Sequence, residues 1–168
     1  MPKIIKNLES KLIEEAKKQI EEFGYGAMTI RSVAKACGVG VGTMYNYFSS
    51  KEDLVATHLL EDWKHCVTAI CAVSAYSDSP RPVALCIYDQ LVAFSQRHMA
   101  IFRDEAAAAS FSGSLSPYHG VLRQQLAQPL RKFCKNDFAA DFIAEGLLTW
   151  TMAGKTFDEI YGMIENLF

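Results

Sequence analysis

Apolar residues recur along this chain at three- and four-residue intervals, and no stretch alternates in the way a half-buried strand does. The spacing predicts an all-α protein. Leu8, Leu12, Ile13, Ala16, Ile20 and Phe23 form one stripe, so a first helix is expected over 8–23, ended by Gly24 and Gly26. Thr29 stands where an N-cap belongs, and Ile30, Val33, Ala34 and Cys37 give a second helix of two turns, stopped at Gly38. A third short helix is expected over 41–48. Ser50 with Asp53 resembles a capping box opening a long fourth helix over 51–75.

The rest of the chain continues in the same way. Helices are expected over 83–97 and 99–110, and over 118–134 with a kink at Pro129. Two more follow over 137–152 and 157–167. The stretches YSDSPRP (76–82) and SGSLSP (112–117) read as loops.

The stretch GVGVGTMYNYF (38–48) raises a choice. A phosphate loop needs GxxxxGK[ST], or GxGxxG after a strand, and neither context exists here. Short helix, glycine turn, short helix is instead the helix-turn-helix arrangement. Met44 and Phe48, four residues apart, should pack inward on Ile30, Val33 and Ala34. That leaves Gly42, Thr43, Asn46 and Tyr47 outward, with Tyr45 on the flank. Such a face suits a major groove: threonine and asparagine meet base edges, and tyrosine hydroxyls reach phosphate oxygens. Thr29 and Lys51 at helix starts, and Arg31, are the expected backbone or base contacts.

Charge supports the choice. The formal net charge of the 168 residues is −2, but residues 1–51 carry eight Lys/Arg against five Glu, leaving the remainder acidic. The five cysteines (37, 66, 71, 86 and 134) show no CxxC and no metal-finger spacing, so they read as thiols in a reducing cytosol. The opening MPKIIKNLES has no signal-peptide core, and no run of eighteen apolar residues occurs, so a cytoplasmic protein is expected.

Met28–Leu54, MTIRSVAKACGVGVGTMYNYFSSKEDL, resembles the DNA-binding signature of the TetR family of transcriptional regulators. The resemblance covers about the first third of the chain. It implies a helix-turn-helix domain over 1–50 and a helical effector-binding and dimerisation domain over 51–168. It implies DNA contacts at Thr43, Tyr45 and Tyr47, close approach at Gly42, and backbone or base contacts at Thr29, Arg31 and Lys51; the outward face of the third helix adds Asn46. It also implies a homodimer paired through the last two helices, on a pseudo-palindromic operator, released by a small-molecule effector. Two positions depart from the pattern. Gly40 replaces a side-chain cap, at a cost of a few tenths of a kcal/mol, and Val41 adds no phosphate contact.

Beyond the head the signals are weaker. Trp63, Tyr88, Phe94, Phe102, Phe111 and Tyr118 are core aromatics and candidate linings of an effector pocket. Arg97, His98, Arg103 and His119 are its candidate polar groups. His58, Glu61, Asp62 and His65 share one helix face, a spacing open to a metal but equally that of a solvated face, and no metal or cofactor is expected. No nucleophile–base set stands out, so no enzyme is expected. The apolar run GLLTWTMAG (146–154) suits a dimer seam better than a lipid surface. The expected function is sequence-specific DNA binding that represses transcription. The alternative is a helical ligand carrier or small enzyme with a vestigial helix-turn-helix corner.

Overall fold

The structure is a computed structural model describing residues 7–107 and 116–168, with side chains from 119 onward in the second span. Every regular element in it is helical. In order these are α1 (Leu8–Phe23), α2 (Ile30–Ala36), α3 (Val41–Tyr45), α4 (Lys51–Tyr76), α5 (Pro80–Arg97) and α6 (Met99–Phe102). Then come α7 (Ser116–Ala127), a 3-10 turn (Gln128–Phe133), α8 (Asp137–Met152), α9 (Phe157–Ile164) and a closing 3-10 turn (Glu165–Leu167).

The chain divides into two compact units. The first holds the described residues up to Glu61 together with 98–107, and the second holds 62–97 with 116–168. The division falls inside α4 rather than at its start. Leu54 and Val55 still belong to the core of the first unit, whereas Trp63 begins that of the second.

In the first unit the buried stripe of α1 meets Ile30, Val33 and Ala34 of α2. Phe23, expected on that stripe, is exposed. It lies at the last turn, and Tyr25, two residues on, fills the core instead. Gly24 closes α1 at φ 85°, with its amide bonded to Ile20 O at 2.9 Å. A residue with Cβ is strained at that φ. Helix α1 also buries Gln19, whose amide oxygen accepts from Ser32 Oγ at 2.6 Å.

The second unit packs α8 against α5 and α7, with α9 on α8 and α5. Its core runs from Ile70 through Val83, Ile87 and Leu91 to Leu130, Ile143, Leu147 and Ile160. Trp63 lies edge-on to Phe94 at 5.5 Å and donates its indole N–H to Gln125 at 2.7 Å.

Some boundaries depart from expectation. Helix α5 begins at Pro80, not after Pro82, because proline fits a first helical turn whose N–H is unbonded anyway. Helix α6 stops at Phe102. There Asp104 takes the amides of Ala106 and Ala107 at 2.9 and 3.1 Å, capping a separate turn. The expected end of that helix, 108–110, lies outside the described residues. At Pro129 the helix tightens to 3-10 instead of kinking onward.

Candidate nucleic-acid interface

Helices α2 and α3 are short, so their placement depends on caps and a few buried side chains. Thr29 and Ser32 form a reciprocal capping box. The Ser32 amide donates to Thr29 Oγ1, and the Thr29 amide donates to Ser32 Oγ, both at 3.0 Å. Gly38, at φ 68°, makes the turn. Gly40 is the N-cap of α3 and offers no side-chain bond. Helix α3 ends at Tyr45, three residues short of expectation, but Phe48 N still reaches Met44 O at 2.9 Å, so the final turn holds its register. Met44 and Phe48 are both buried in one core with Ile30, Val33 and Ala34.

The opposite face of α3 is open. Tyr45 is 57% and Tyr47 45% exposed, Gly42 and Asn46 are exposed, and Thr43 is half-buried. Arg31 on α2 is also exposed. Each of these residues is at least partly exposed. A Cβ placed on Gly42 would meet nothing within 4 Å. The chain's own packing therefore does not require glycine in the middle of this helix.

Lys51 is placed differently. Its ammonium donates to the Tyr25 carbonyl and sits 3.9 Å from the Tyr25 ring centroid. Burial lowers its pKa, while Glu52 and Asp104 pull it back up. Tyr25 in turn donates its hydroxyl to Glu52 Oε1 at 3.1 Å. The start of α4 has half of the expected capping box. The Asp53 amide donates to Ser50 Oγ at 3.1 Å, but the Asp53 carboxylate turns to the amide and hydroxyl of Ser49 at 2.8 and 3.0 Å.

Sequence reading missed Tyr25 and Asp104. Asp104 Oδ2 accepts from Gly26 N at 3.2 Å, which ties the segment after α6 to the loop after α1. Amide bonds, from Ala107 foremost, hold this carboxyl below its usual range. No local pattern announces a contact over that separation.

The candidate pocket residues divide between the two units. Trp63, Tyr88 and Phe94 line the core of the second, and Tyr88 lies 5.7 Å from Phe157. His98 and Phe102 belong to the first, with ring centroids 6.3 Å apart. Phe111 and the Tyr118 side chain lie outside the described residues. Of the candidate polar groups, Arg97 pairs with Asp62 at 3.5 Å, Arg103 is exposed, and His119 lies 3.0 Å from Glu145. Among the described residues no helix is long and apolar enough to cross a membrane.

Comparison with known proteins places this geometry. Residues 12–57 match the profile of bacterial regulatory proteins of the tetR family. YuxN of Bacillus subtilis, an uncharacterized HTH-type transcriptional regulator, is 34% identical over 77 residues, covering 46% of this chain and 26% of YuxN. The chain thus matches only about a quarter of that relative's length. Two solved structures share the fold over nearly the whole chain. SCO7518 of Streptomyces coelicolor A3(2) has TM-score 0.70 at 15% identity, covering 94% of this chain and 96% of its own. The TetR family repressor AlkX of Dietzia sp. strain DQ12-45-1b has TM-score 0.63 at 16% identity, covering 92% of each. The buried Met44–Phe48 pair, the Thr29 cap and the open face of α3 all lie inside the matched segment, so residues 12–57 are similar to the helix-turn-helix region of bacterial regulatory proteins of the tetR family.

Proposed function

We propose that this protein is a dimeric, sequence-specific DNA-binding regulator of transcription that acts in the cytoplasm as a repressor and is released from a pseudo-palindromic operator by a small-molecule effector. The observation that carries the reading is the open face of α3. It sets two exposed tyrosines, an asparagine, a threonine and an unexplained glycine on a helix anchored from behind by Met44 and Phe48. Thr43 and Asn46 meet base edges, while Tyr45, Tyr47, Arg31 and the Thr29 end of α2 meet the phosphate backbone. Gly42 lets the backbone approach the groove. Lys51 joins the contacts only if it leaves Tyr25.

The dimer forms through α8 and α9. Phe138 and Phe142 are exposed one turn apart on α8, with ring centroids at 6.4 Å, and Trp150 and Met152 are exposed further along the same helix. Met163 is exposed on α9 at 81%. A surface of this kind is characteristic of an interface. The aromatic core of the second unit, around Trp63, Tyr88 and Phe94, is the place for an apolar effector.

Selection of random-sequence duplex DNA by the purified protein at about 0.1–0.15 M salt tests the reading. An inverted repeat among the selected sequences is the expected result. No enrichment at this salt or below it would overturn the assignment.

A further inference from the structure

We propose that His58 and His98, with Asp62, form a binding site for a divalent transition-metal ion of the zinc class, and that this ion is an effector of the regulator. His58 lies on α4 at 8% exposure, and His98 precedes α6 at 2%. Their rings meet edge to face with centroids 4.9 Å apart. Asp62 follows His58 by one turn of the same uninterrupted helix, so helix geometry sets its place beside the imidazoles. One donor atom from each of the three lies within 4.8 Å of the others.

The chemistry of this set is selective. Two imidazole nitrogens and one carboxylate oxygen suit zinc, cobalt(II), nickel(II) or iron(II), and are poor hosts for calcium or magnesium, which take all-oxygen shells. Two histidines on one tetrahedral zinc, with N–metal bonds of about 2.0–2.1 Å, hold their nitrogens about 3.3 Å apart and their ring centroids about 5 Å apart. The observed centroid separation of 4.9 Å has about that value. Three protein donors leave a fourth position for water or an exchangeable ligand. Arg97 Nε lies 3.5 Å from Asp62 Oδ2, so this carboxylate reaches a metal through its other oxygen or by releasing the arginine.

The location gives the ion a function. A bound metal ties α4, the helix that follows the reading head, to the chain opening α6. The effector role rests on the DNA-binding reading above; the metal site itself does not. Glu61 and His65, which share the helix face by spacing, are both exposed and stand outside the group.

The test uses the full chain, stripped with chelator and dialysed against zinc or cobalt(II) without DNA. About one ion per chain is expected, with the visible absorption of low-coordinate cobalt(II). His98→Gln and Asp62→Asn should each weaken binding about 100-fold or more, whereas Glu61→Gln and His65→Ala should leave it unchanged. Far-ultraviolet circular dichroism checks that each variant keeps its helix content, and Asp62→Asn serves if His98→Gln does not fold. Absence of stoichiometric binding, or a folded Asp62→Asn chain that binds like the parent, would overturn the site. A second arm measures operator affinity with and without zinc at fixed salt. Tight metal binding with unchanged DNA affinity overturns the effector role alone, and absence of DNA binding in both states overturns the regulator reading while leaving the metal result standing.

Discussion

Lys51 turns its ammonium back onto Tyr25, bonding the backbone carbonyl and lying over the ring of the same residue. A lysine in the first turn of α4 reads, from sequence, as a phosphate contact. In the structure it fastens α4 to the loop between α1 and α2. Lys51→Met should therefore lower the stability of the head by about 1–2 kcal/mol, through loss of a charged hydrogen bond and a cation–π contact. It should leave the salt dependence of operator binding nearly unchanged. Arg31→Ala should do the reverse, with little effect on melting and a salt slope reduced by about 1. Thermal unfolding beside binding isotherms at several salt concentrations separates the two. A slope that also falls for Lys51→Met would show that the lysine leaves Tyr25 on DNA.

Gly42 sits inside α3 with open space where a side chain would go. Glycine in a helix interior costs about 0.5–1 kcal/mol relative to alanine, and among the described residues no packing contact offsets that. Gly42→Ala should thus stabilise the protein by about that amount and weaken operator binding at least tenfold. Urea unfolding paired with a binding titration reads both. Undiminished affinity would remove the close backbone approach from the account.

Thr43 and Tyr47 should separate by kind of loss. On the proposed reading Tyr47 meets phosphate, so Tyr47→Ala should weaken all sites about equally. On the same reading Thr43 meets a base edge, so Thr43→Val should change which sequences are preferred, by about 1–3 kcal/mol at one position. Binding to a panel of single-base operator variants decides, and equal losses across the panel for both variants would end the base-reading role of Thr43.

The legible parts of this protein were those set by local rules. Helix α1, the Thr29 cap, the inward Met44–Phe48 pair and the bounds of α8 follow from periodicity and capping, which act over a few residues. What the sequence hid was long-range. Asp104 reaches Gly26, and His98 reaches His58, by tertiary packing that leaves no trace in spacing. The helix-face pattern picked out His58 and Asp62 but supplied Glu61 and His65 as companions, because periodicity finds neighbours on one helix and is blind to the residue facing it. Lys51 is the converse case. Its position was clear, but a flexible side chain chose an internal carbonyl over solvent.

The pH response of α9 follows from its cap. The Glu159 carboxylate accepts the Thr156 amide at 2.9 Å, lies 3.1 Å from Lys155 Nζ and accepts the Thr156 hydroxyl at 2.9 Å. Those contacts, the backbone amide first, hold its pKa at about 2, below the ordinary 4.5. A depressed carboxyl adds stability above its unfolded pKa and loses it as pH falls through the folded one. Glu159 therefore contributes in full above 4.5, and its contribution disappears between there and about 2. Glu159→Gln should flatten the pH dependence of unfolding in that window. Urea midpoints across it, parent against variant, give the comparison, and parallel curves would refute the coupling.

The exposed aromatics of α8 carry the dimer proposal to a number. In a two-fold interface each residue occurs twice, so one substitution deletes two buried side chains. Phe142 and Trp150 are each just over half exposed in the single chain, so covering both copies of either is worth about 2–4 kcal/mol per dimer, or about 30- to 1,000-fold in dissociation constant. A charge placed there is worse, because it must be desolvated against its own symmetry mate. Phe142→Glu and Trp150→Glu should sediment as single chains at micromolar concentration where the parent sediments as a pair. Tyr76→Glu, at the exposed end of α4, should sediment like the parent. The monomeric variants should also lose operator affinity, since one head then grips one half-site without the other. A Phe142→Glu chain that remains paired would move the seam off α8, and the exposed rings of this helix would need a different partner.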